Sequence, residues 1–255
     1  MTVSGGQLAV PGHDVDGIER ATAAAVAPES VEELDGWLLA FDRGSVNRAK
    51  SAVPLQHTPC DKSVVGKIEA RYAAHALAPL FRLPTLDCFE GLRCELRLRG
   101  YSAERPTLVQ LGAVSAMRES SIDLPADIAT TPDAAWAALF LGEGFDPVDG
   151  ASRVARLSSA HGSLYASVRL TGATVAAGAA AFSNGWVSVH GMRTAPAFRG
   201  RGLAGRVLAG LVDAALSRGF ERSFLQVEAG NVAALALYQR AGFTTAWCYE
   251  YWRPA

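Results

Sequence analysis

The stretch from residue 199 to 206 constrains this chain more than any other. It reads Arg-Gly-Arg-Gly-Leu-Ala-Gly-Arg and opens directly into an apolar-periodic segment that runs to about residue 218. Glycines let backbone N–H groups approach a ligand closely, and the first turn of a helix has unpaired donors and a partial positive charge. The pattern therefore predicts an anion cradle at a helix start, with a phosphorylated ligand as its guest.

The near-neutral composition implies that any phosphate is recognised by a local cluster of residues and not by the net charge of the chain. The chain has 24 Lys and Arg against 25 Asp and Glu, a formal net charge of −1, so it has no global attraction to nucleic acid or to an anionic membrane. With 255 residues, of which 49% are hydrophobic, it is typical of a globular protein of one or two domains.

The cysteines and the N-terminus indicate a cytoplasmic protein. No C-x-x-C pair and no Cys/His spacing typical of a metal site is present, so we predict no metal and reduced thiols. The cysteines are Cys60, Cys88, Cys94 and Cys248. Residues 1–14 lack a basic stretch followed by an apolar core, and no apolar run reaches the ~18 residues of a membrane span. We expect residues 1–14 to be a flexible terminus.

Local patterns divide the rest into two units of α/β (α+β) class. The pattern of residues 15–114 predicts helices, a hairpin and further strands. Residues 115–131 lack sustained periodicity, and we interpret them as a linker. In the first unit the predicted helices are 16–27, 61–76 and 86–99, and the predicted strands are 36–41, 45–53, 79–83 and 107–111. The turn Asp42-Arg43-Gly44 is expected to join the first two strands into a hairpin.

The second unit, residues 132–255, predicts a sheet of mixed, mostly antiparallel direction flanked by helices. Its predicted helices are 133–141, 150–160, the segment after the glycine loop, and 232–241. Its predicted strands are 164–170, 174–182, 186–192, 223–228 and 244–252.

Two nucleotide-binding motifs fit the glycine loop poorly. Gly200, Gly202 and Gly205 have the G-x-G-x-x-G spacing of a dinucleotide-binding loop, which needs its first glycine at the end of a strand. A proline-containing connection, residues 195–199, separates that glycine from the preceding strand. The Gly-Lys-Ser/Thr of a Walker loop is absent. An oxidoreductase that binds NAD(P) remains an alternative.

Two motif blocks resemble the GNAT N-acetyltransferase superfamily. Arg199-x-x-Gly202-x-Ala204 is similar to its R/Q-x-x-G-x-G/A signature, and residues 231–243 reproduce its second block, N-x-x-A-x-x-L-Y-x-x-x-G-F. The resemblance covers roughly residues 132–252 and is sharp from residue 186 onward.

This resemblance implies acetyl-CoA as cosubstrate, with no metal. The strand end before the loop would offer backbone groups to the pantetheine arm, and the loop would bind the pyrophosphate. The residues so assigned are Met192, Arg193, Thr194, Arg199, Gly200, Arg201, Gly202, Leu203, Ala204 and Gly205. Asn231 would contact the cofactor near its pantetheine. Tyr238 would lie beside the sulfur and protonate the leaving coenzyme A thiolate.

Each of these assignments has a structural alternative. Tyr238 is also consistent with a core tyrosine, and Asn231 with a helix N-cap. Many members of the superfamily carry a glutamate where this chain has Gly191, so the general base is open. Glu228 is the candidate, against an exposed charge at a strand end. His190 is expected to be a packed histidine rather than a catalytic one.

The order of elements in the first unit echoes that of the second. The segment where a glycine loop would lie, residues 54–62, has no glycine. We interpret residues 15–114 as a degenerate GNAT-like domain that has lost its cofactor site, with an unrelated α/β domain as the alternative. Its candidates for lining an acceptor pocket are Trp37, Asn47, Arg48 and Ser51.

The sequence thus predicts an N-acetyltransferase that moves an acetyl group from acetyl-CoA to a primary amine, with one cofactor per chain. The acceptor is expected to be a small molecule or a peptide rather than nucleic acid or a membrane, and the protein to be a monomer or a homodimer. A non-catalytic acyl-CoA-binding regulator or sensor remains the alternative from another class.

Overall fold

The computed structural model describes residues 13–120, 124–142 and 146–255. The α-helices are α1 (Val15–Val26), α2 (Val64–Ala74), α3 (Glu90–Leu98), α4 (Val114–Ser120), α5 (Ala134–Leu141), α6 (Pro147–Ser159), α7 (Leu203–Ser217) and α8 (Val232–Arg240). The strands are β1 (Ser30–Leu34), β2 (Trp37–Phe41), β3 (Ala52–Pro54), β4 (Phe81–Pro84), β5 (Tyr101–Ala113), β6 (Asp127–Ala129), β7 (Leu164–Leu170), β8 (Ala173–Ser183), β9 (Trp186–Thr194), β10 (Arg222–Glu228) and β11 (Thr244–Pro254).

All of these strands form one continuous sheet, in the order β1-β2-β3-β4-β11-β5-β10-β9-β8-β7-β6. The pairs β3–β4 and β9–β10 are parallel and the remaining described pairs are antiparallel. The predicted fold class, a mixed and mostly antiparallel sheet flanked by helices, is confirmed.

The two halves of the chain exchange strands at the centre of this sheet. We call residues 13–120 the first half and residues 124–255 the second half. Strand β5 of the first half lies between β10 and β11, and β11 of the second half lies between β4 and β5. The strand β11 therefore pairs on both edges with strands of the first half.

The side chains of β11 join both hydrophobic cores. Trp252 packs in the core of the first half with Trp37 and Phe81, whereas Trp247 packs in the central core with Phe224. These five side chains are each at most 2% exposed. Separating the halves would expose large aromatic surfaces, each with about 2 kcal/mol or more of burial free energy.

We therefore expect the whole chain to unfold as one cooperative unit. A fragment of residues 124–255 would lose both neighbours of β11 and one neighbour of β10, so it should be insoluble or lack fixed tertiary structure. The measurement is urea unfolding followed by far-UV and near-UV circular dichroism, with coincident transitions for the whole chain. Co-expression with residues 13–120 is the control that should restore a soluble complex. A fragment that unfolds cooperatively by itself would contradict this expectation.

Several sequence-based assignments in the first half are wrong. The predicted strand at 45–53 is instead a 3-10 turn at Asn47–Ala49 followed by β3. The expected antiparallel pairing is confirmed, since β2 pairs with β3, but residues 42–51 connect these strands in place of a tight turn at 42–44. The tight hairpin is β1–β2, which turns at Asp35 and Gly36, where φ is +47° and +78°. The composition of residues 45–53 is compatible with a strand, but strand propensity alone does not determine which residues pair with a neighbouring strand. The turn was therefore not predicted.

The segments predicted to be unstructured also differ. The interpreted linker, residues 115–131, contains most of α4 and all of β6. Of the predicted flexible terminus, residues 1–12 lie outside the described part of the chain. Asp14 at its end is ordered, since its side chain accepts a hydrogen bond from the Gly17 N–H (2.9 Å) as the N-cap of α1. The predicted domain bounds stay a prediction.

Candidate functional site

An opening between β9 and β10 creates the site. These parallel strands are paired at residues 187–189 and 223–225 and not beyond. Just past the pairing, β9 has a bulge: Ala179 faces His190 and Ala177 faces Arg193, so two residues of β9 lie opposite one residue of β8. A bulge bends its strand and re-aims its backbone groups. The end of β9 therefore diverges from β10, which leaves a cleft between the strands.

Gly191 is at this bulge and explains why the chain has no carboxylate there. Its φ is +57°, in the left-handed region that side chains rarely adopt. A Cβ at this position would lie 2.9 Å from Leu157 Cδ1 and 3.2 Å from Phe140 Cζ. The glutamate of many superfamily members is therefore incompatible with this local backbone and packing.

The glycine loop lies at the N-terminus of α7, as the sequence predicts. Gly200 and Gly202 both have φ of +75°, and Gly202 is the N-cap residue of this 15-residue helix. The Gly202 carbonyl accepts from the Gly205 N–H (2.9 Å), which fixes the first turn. The N–H groups of Leu203 and Ala204 precede any intrahelical partner and are available to an anion.

The helix α8 follows the cleft on the side of β10. Asn231 is its N-cap, because its side chain accepts from the Ala234 N–H (3.2 Å), so the predicted N-cap is confirmed. Tyr238 is 7% exposed, and its ring packs edge-on against Phe243 with centroids 5.8 Å apart. Burial raises the pKa of Tyr238 to about 12. Glu228, at the end of β10, is exposed.

One cleft of about 900 Å³ brings these elements together. Of the residues assigned from the sequence, those that line it are Met192, Arg193, Thr194, Arg199, Gly200, Gly202, Leu203, Ala204, Gly205, Glu228, Asn231 and Tyr238. Arg201 does not line it, and its guanidinium lies over the Phe198 ring at 5.0 Å. In the first half, Asn47 and Arg48 line the cleft, whereas Trp37 and Ser51 are buried elsewhere, so their assignment is wrong.

Sequence reasoning missed a group of polar lining residues. They are Ser45, Arg105, Thr107, Arg153, Arg156, Gln226, Arg240 and Tyr251. They come from several separate elements that the sheet brings together. The sequence of α6 contained one indication of them, because Arg153 and Arg156 are three residues apart and therefore lie on one face of the helix.

The lining is rich in positive charge. Seven arginines and one glutamate contribute to it. Arg153 is paired with Asp149 (2.7 Å) and Arg156 with Asp42 (2.9 Å). Burial lowers the pKa of Arg193 to about 10, and the charge of nearby Arg153 adds to the fall. The cleft is thus suited to anionic ligands.

His190 is packed at the base of this cleft, as the sequence predicts. It is 7% exposed, and its Nε2 lies 2.6 Å from the Ser188 hydroxyl. Burial lowers the pKa of His190 to about 3, and the charge of Arg48 adds to the fall. The imidazole is therefore neutral in the folded protein at ordinary pH.

This burial predicts acid sensitivity. An unfolded histidine titrates near pH 6.5, so the unfolded state binds more protons than the folded state between that value and a pH of about 3. The stabilisation is complete above pH 6.5 and is lost as the pH falls through this window, by up to about 1.4 kcal/mol per pH unit. The measurement is the free energy of unfolding in urea at pH 7 and pH 5.

His190→Asn should flatten this dependence relative to the wild type. His57, whose pKa burial lowers to about 4, contributes with the same sign and remains in both proteins. The difference between the two slopes therefore isolates His190. Equal slopes would contradict the assignment.

In the described ranges no helix has both the length and the apolarity to cross a membrane. Nor do their His, Cys, Asp and Glu side chains form a group of three or more that could hold a metal ion. The four cysteines are free thiols.

The sheet, the bulged strand and the glycine loop at the start of α7 define a GCN5-related N-acetyltransferase (GNAT), a class of acyltransferase. A family model described as "Probable histone acetyltransferase Rv0428c C-terminal" matches residues 13–252. The chain belongs to this family. It is similar to the "Probable histone acetyltransferase Rv0428c" of Mycobacterium tuberculosis, at 31% identity over 230 residues that cover 89% of this chain and 69% of the relative.

Solved structures share the fold across both halves. A GCN5-related N-acetyltransferase from Kribbella flavida has a TM-score of 0.70 at 16% identity, covering 96% of each chain. A tandem GNAT protein from the clavulanic acid biosynthesis pathway has a TM-score of 0.58 at 11% identity, also covering 96% of each chain. The predicted membership of the GNAT superfamily is confirmed.

Proposed function

We propose that this protein is an acetyl-CoA-dependent N-acetyltransferase that acetylates a primary amine by direct attack. The observation that carries the proposal is that the glycine loop, the opened end of β9 and Tyr238 line a single cleft. A coenzyme A thioester needs all three: a cradle for its pyrophosphate, a strand edge for its pantetheine, and an acid near its sulfur.

The cofactor would follow the cleft from the loop to the bulge. The N–H groups at the start of α7 would bind the pyrophosphate, and Arg199 would add charge there. The free edge of β9 from Met192 to Thr194 would hydrogen-bond to the amides of the pantetheine arm, as an added strand does. Asn231, whose side-chain oxygen caps α8, would contact the arm with its amide N–H groups.

Side chains that line the cleft can accept and donate the two protons that the transfer of the acetyl group requires. The amine nitrogen attacks the thioester carbon, and backbone N–H groups near the bulge stabilise the oxyanion. Glu228 takes the proton of the amine, directly or through water. The C–S bond then breaks, and the phenol of Tyr238, protonated at neutral pH, gives its proton to the thiolate.

The name of the relative from M. tuberculosis gives a histone as its acceptor. A lysine of a peptide is one of the primary amines that this proposal includes, alongside small-molecule amines. A cytoplasmic location remains part of the proposal.

A calorimetric titration with acetyl-CoA tests the cofactor site. We expect saturable binding of one acetyl-CoA per chain, because residues 54–62 of the first half contain no glycine loop. The absence of binding would overturn the proposal, and two cofactors per chain would contradict the assignment of a single site.

A non-catalytic acyl-CoA-binding protein is the second candidate. Gly191, in place of a glutamate, is the observation that favours it, because β9 supplies no base. That candidate predicts the same titration but no release of coenzyme A with any amine.

A further inference from the structure

A buried charge cluster of the first half reaches the cleft through one of its members. Glu19 of α1 accepts a hydrogen bond from Arg82 of β4, and the two residues are 1% and 2% exposed. Burial raises the pKa of Glu19, and the charges of Arg82 and of nearby Arg48 act against that rise. The cluster therefore combines two guanidinium groups with one carboxylate.

Arg48 extends this cluster into the cleft. It belongs to the 3-10 turn Asn47–Ala49 and lines the cleft beside the β9 strand. Its Nε is buried and has no hydrogen-bond partner among the described residues. No carboxylate of those residues lies within ion-pair distance of it, whereas Arg153 and Arg156 each have one. The rest of its guanidinium is hydrogen-bonded to Tyr249, and the Glu19 carboxyl on which its charge acts is already bonded to Arg82. The cluster therefore has one more guanidinium than it has carboxyl groups.

The position of Arg48 separates it from the phosphate cradle. Its charge acts on His190, which lies before the bulge, whereas the glycine loop begins after Thr194. Because the bulge lies in this segment, the four residues between these two points span less than the roughly 13 Å of regular extended strand. A cofactor bound with its pyrophosphate on the loop would place its thioester between these two points, so Arg48 lies on the acceptor side.

We propose that the acceptor amine also carries a carboxylate, as a free amino acid does, and that the Arg48 guanidinium binds this carboxylate. Tyr251 and Gln226 also line the cleft and are joined to each other through the Tyr249 hydroxyl, so they would supply further polar groups for it. The carboxylate completes the charge balance of the buried cluster, and its position directs the amine toward the bulge. This inference rests on the proposed acetyltransferase function. A lysine-rich or polyamine acceptor would meet repulsion from the same side chains.

The test uses the full-length protein with acetyl-CoA and follows coenzyme A release. Pairs of amino acids and their carboxamides present the same amine with and without the carboxylate. The amine of the carboxamide has the lower pKa and is more often deprotonated, so the comparison is biased against the proposal. We expect kcat/KM to be about 10- to 100-fold higher for the acids, as for a charge-assisted hydrogen bond.

Two variants assign the preference to Arg48. In Arg48→Gln the ratio of kcat/KM for amino acids to kcat/KM for their carboxamides should fall to about one, and the KM of acetyl-CoA should stay unchanged. Lys50→Gln is the matched control, because Lys50 is a nearby cation that does not line the cleft and donates to the Gly44 carbonyl (2.9 Å). It should retain the preference. The melting temperature of each variant checks its fold.

The outcomes separate this inference from the proposed function. Equal rates for acids and carboxamides, or faster acetylation of polyamines or lysine peptides, would overturn the inference and leave the acetyltransferase function standing. A second comparison uses a neutral amine with succinyl-CoA or with acetyl-CoA. If Arg48 raises the rate only with succinyl-CoA, it binds the carboxylate of the acyl group and not that of the acceptor, and the inference is overturned. No coenzyme A release with any amine would overturn both.

Discussion

Tyr238→Phe is expected to lower kcat about 100-fold and to leave the Kd of acetyl-CoA within about twofold, since general acid catalysis contributes about 100-fold or more. Without the phenol, the thiolate must leave unprotonated or wait for water. The substitution keeps the ring that packs against Phe243. The Tyr238 hydroxyl has no hydrogen-bond partner in the described ranges, so we expect little change in stability.

Steady-state release of coenzyme A gives kcat, and calorimetry gives the Kd of the cofactor. Tyr101→Phe is a suitable control because it removes a hydroxyl that donates to Glu69 (2.9 Å) and does not line the cleft. It should leave kcat unchanged. An unaltered kcat in Tyr238→Phe would make this tyrosine a core residue and would leave the leaving group without an acid from the protein.

Gly202→Ala is expected to raise the Kd of acetyl-CoA about 10-fold. The N-cap position has φ of +75°, and an L side chain there costs about 1–2 kcal/mol. Relief of that strain would move the amides of Leu203 and Ala204 away from the phosphates. A loss of about 1.4 kcal/mol in binding corresponds to the tenfold change.

A glycine outside the cleft serves as a control that separates the effect of backbone strain on stability from the effect on acetyl-CoA binding. Gly172, in the β7–β8 turn, has φ of +82°, a Cβ added there would meet no atom within 4 Å, and the residue does not line the cleft. Gly172→Ala should lower the melting temperature to a similar extent without any change in the Kd. Equal Kd values for Gly202→Ala and the wild type would show that the loop does not hold the cofactor.

Local signals predicted the second half well. The buried stripe of α7 and the N-cap of α8 follow from spacing and capping chemistry that act within a few residues. Leu203, Val207 and Leu211 are buried as expected, and Asn231 caps α8. The strands β7, β8 and β9 are bounded by turns whose glycine chemistry is also local.

The positions of β5 and β11 in the sheet could not be predicted from local sequence patterns. Both strands contain alternating apolar residues that fit either edge of a sheet, and their partners are more than 100 residues distant in sequence. For the same reason the sequence indicated two separate units. Once the exchange is known, the aromatic side chains of β11 are explained, because they pack in the core of the first half and in the central core between the halves.

The acceptor side was predicted least well. Arg48 was a candidate as part of a strand, yet the structure presents it from a 3-10 turn. Arg153 and Arg156 reach the cleft only because α6 packs across the β9 bulge, where Leu157 lies next to Gly191. Burial and charge balance between distant elements determine this side of the site, and one sequence does not report either.

Release of coenzyme A from acetyl-CoA, measured with the wild-type chain across amines that differ in charge, is the most direct test of acetyl transfer. We predict release that requires both the cofactor and an amine, with one acetylated amine formed per coenzyme A released. Saturable acetyl-CoA binding without release on any amine would contradict the enzyme and identify a binding protein instead.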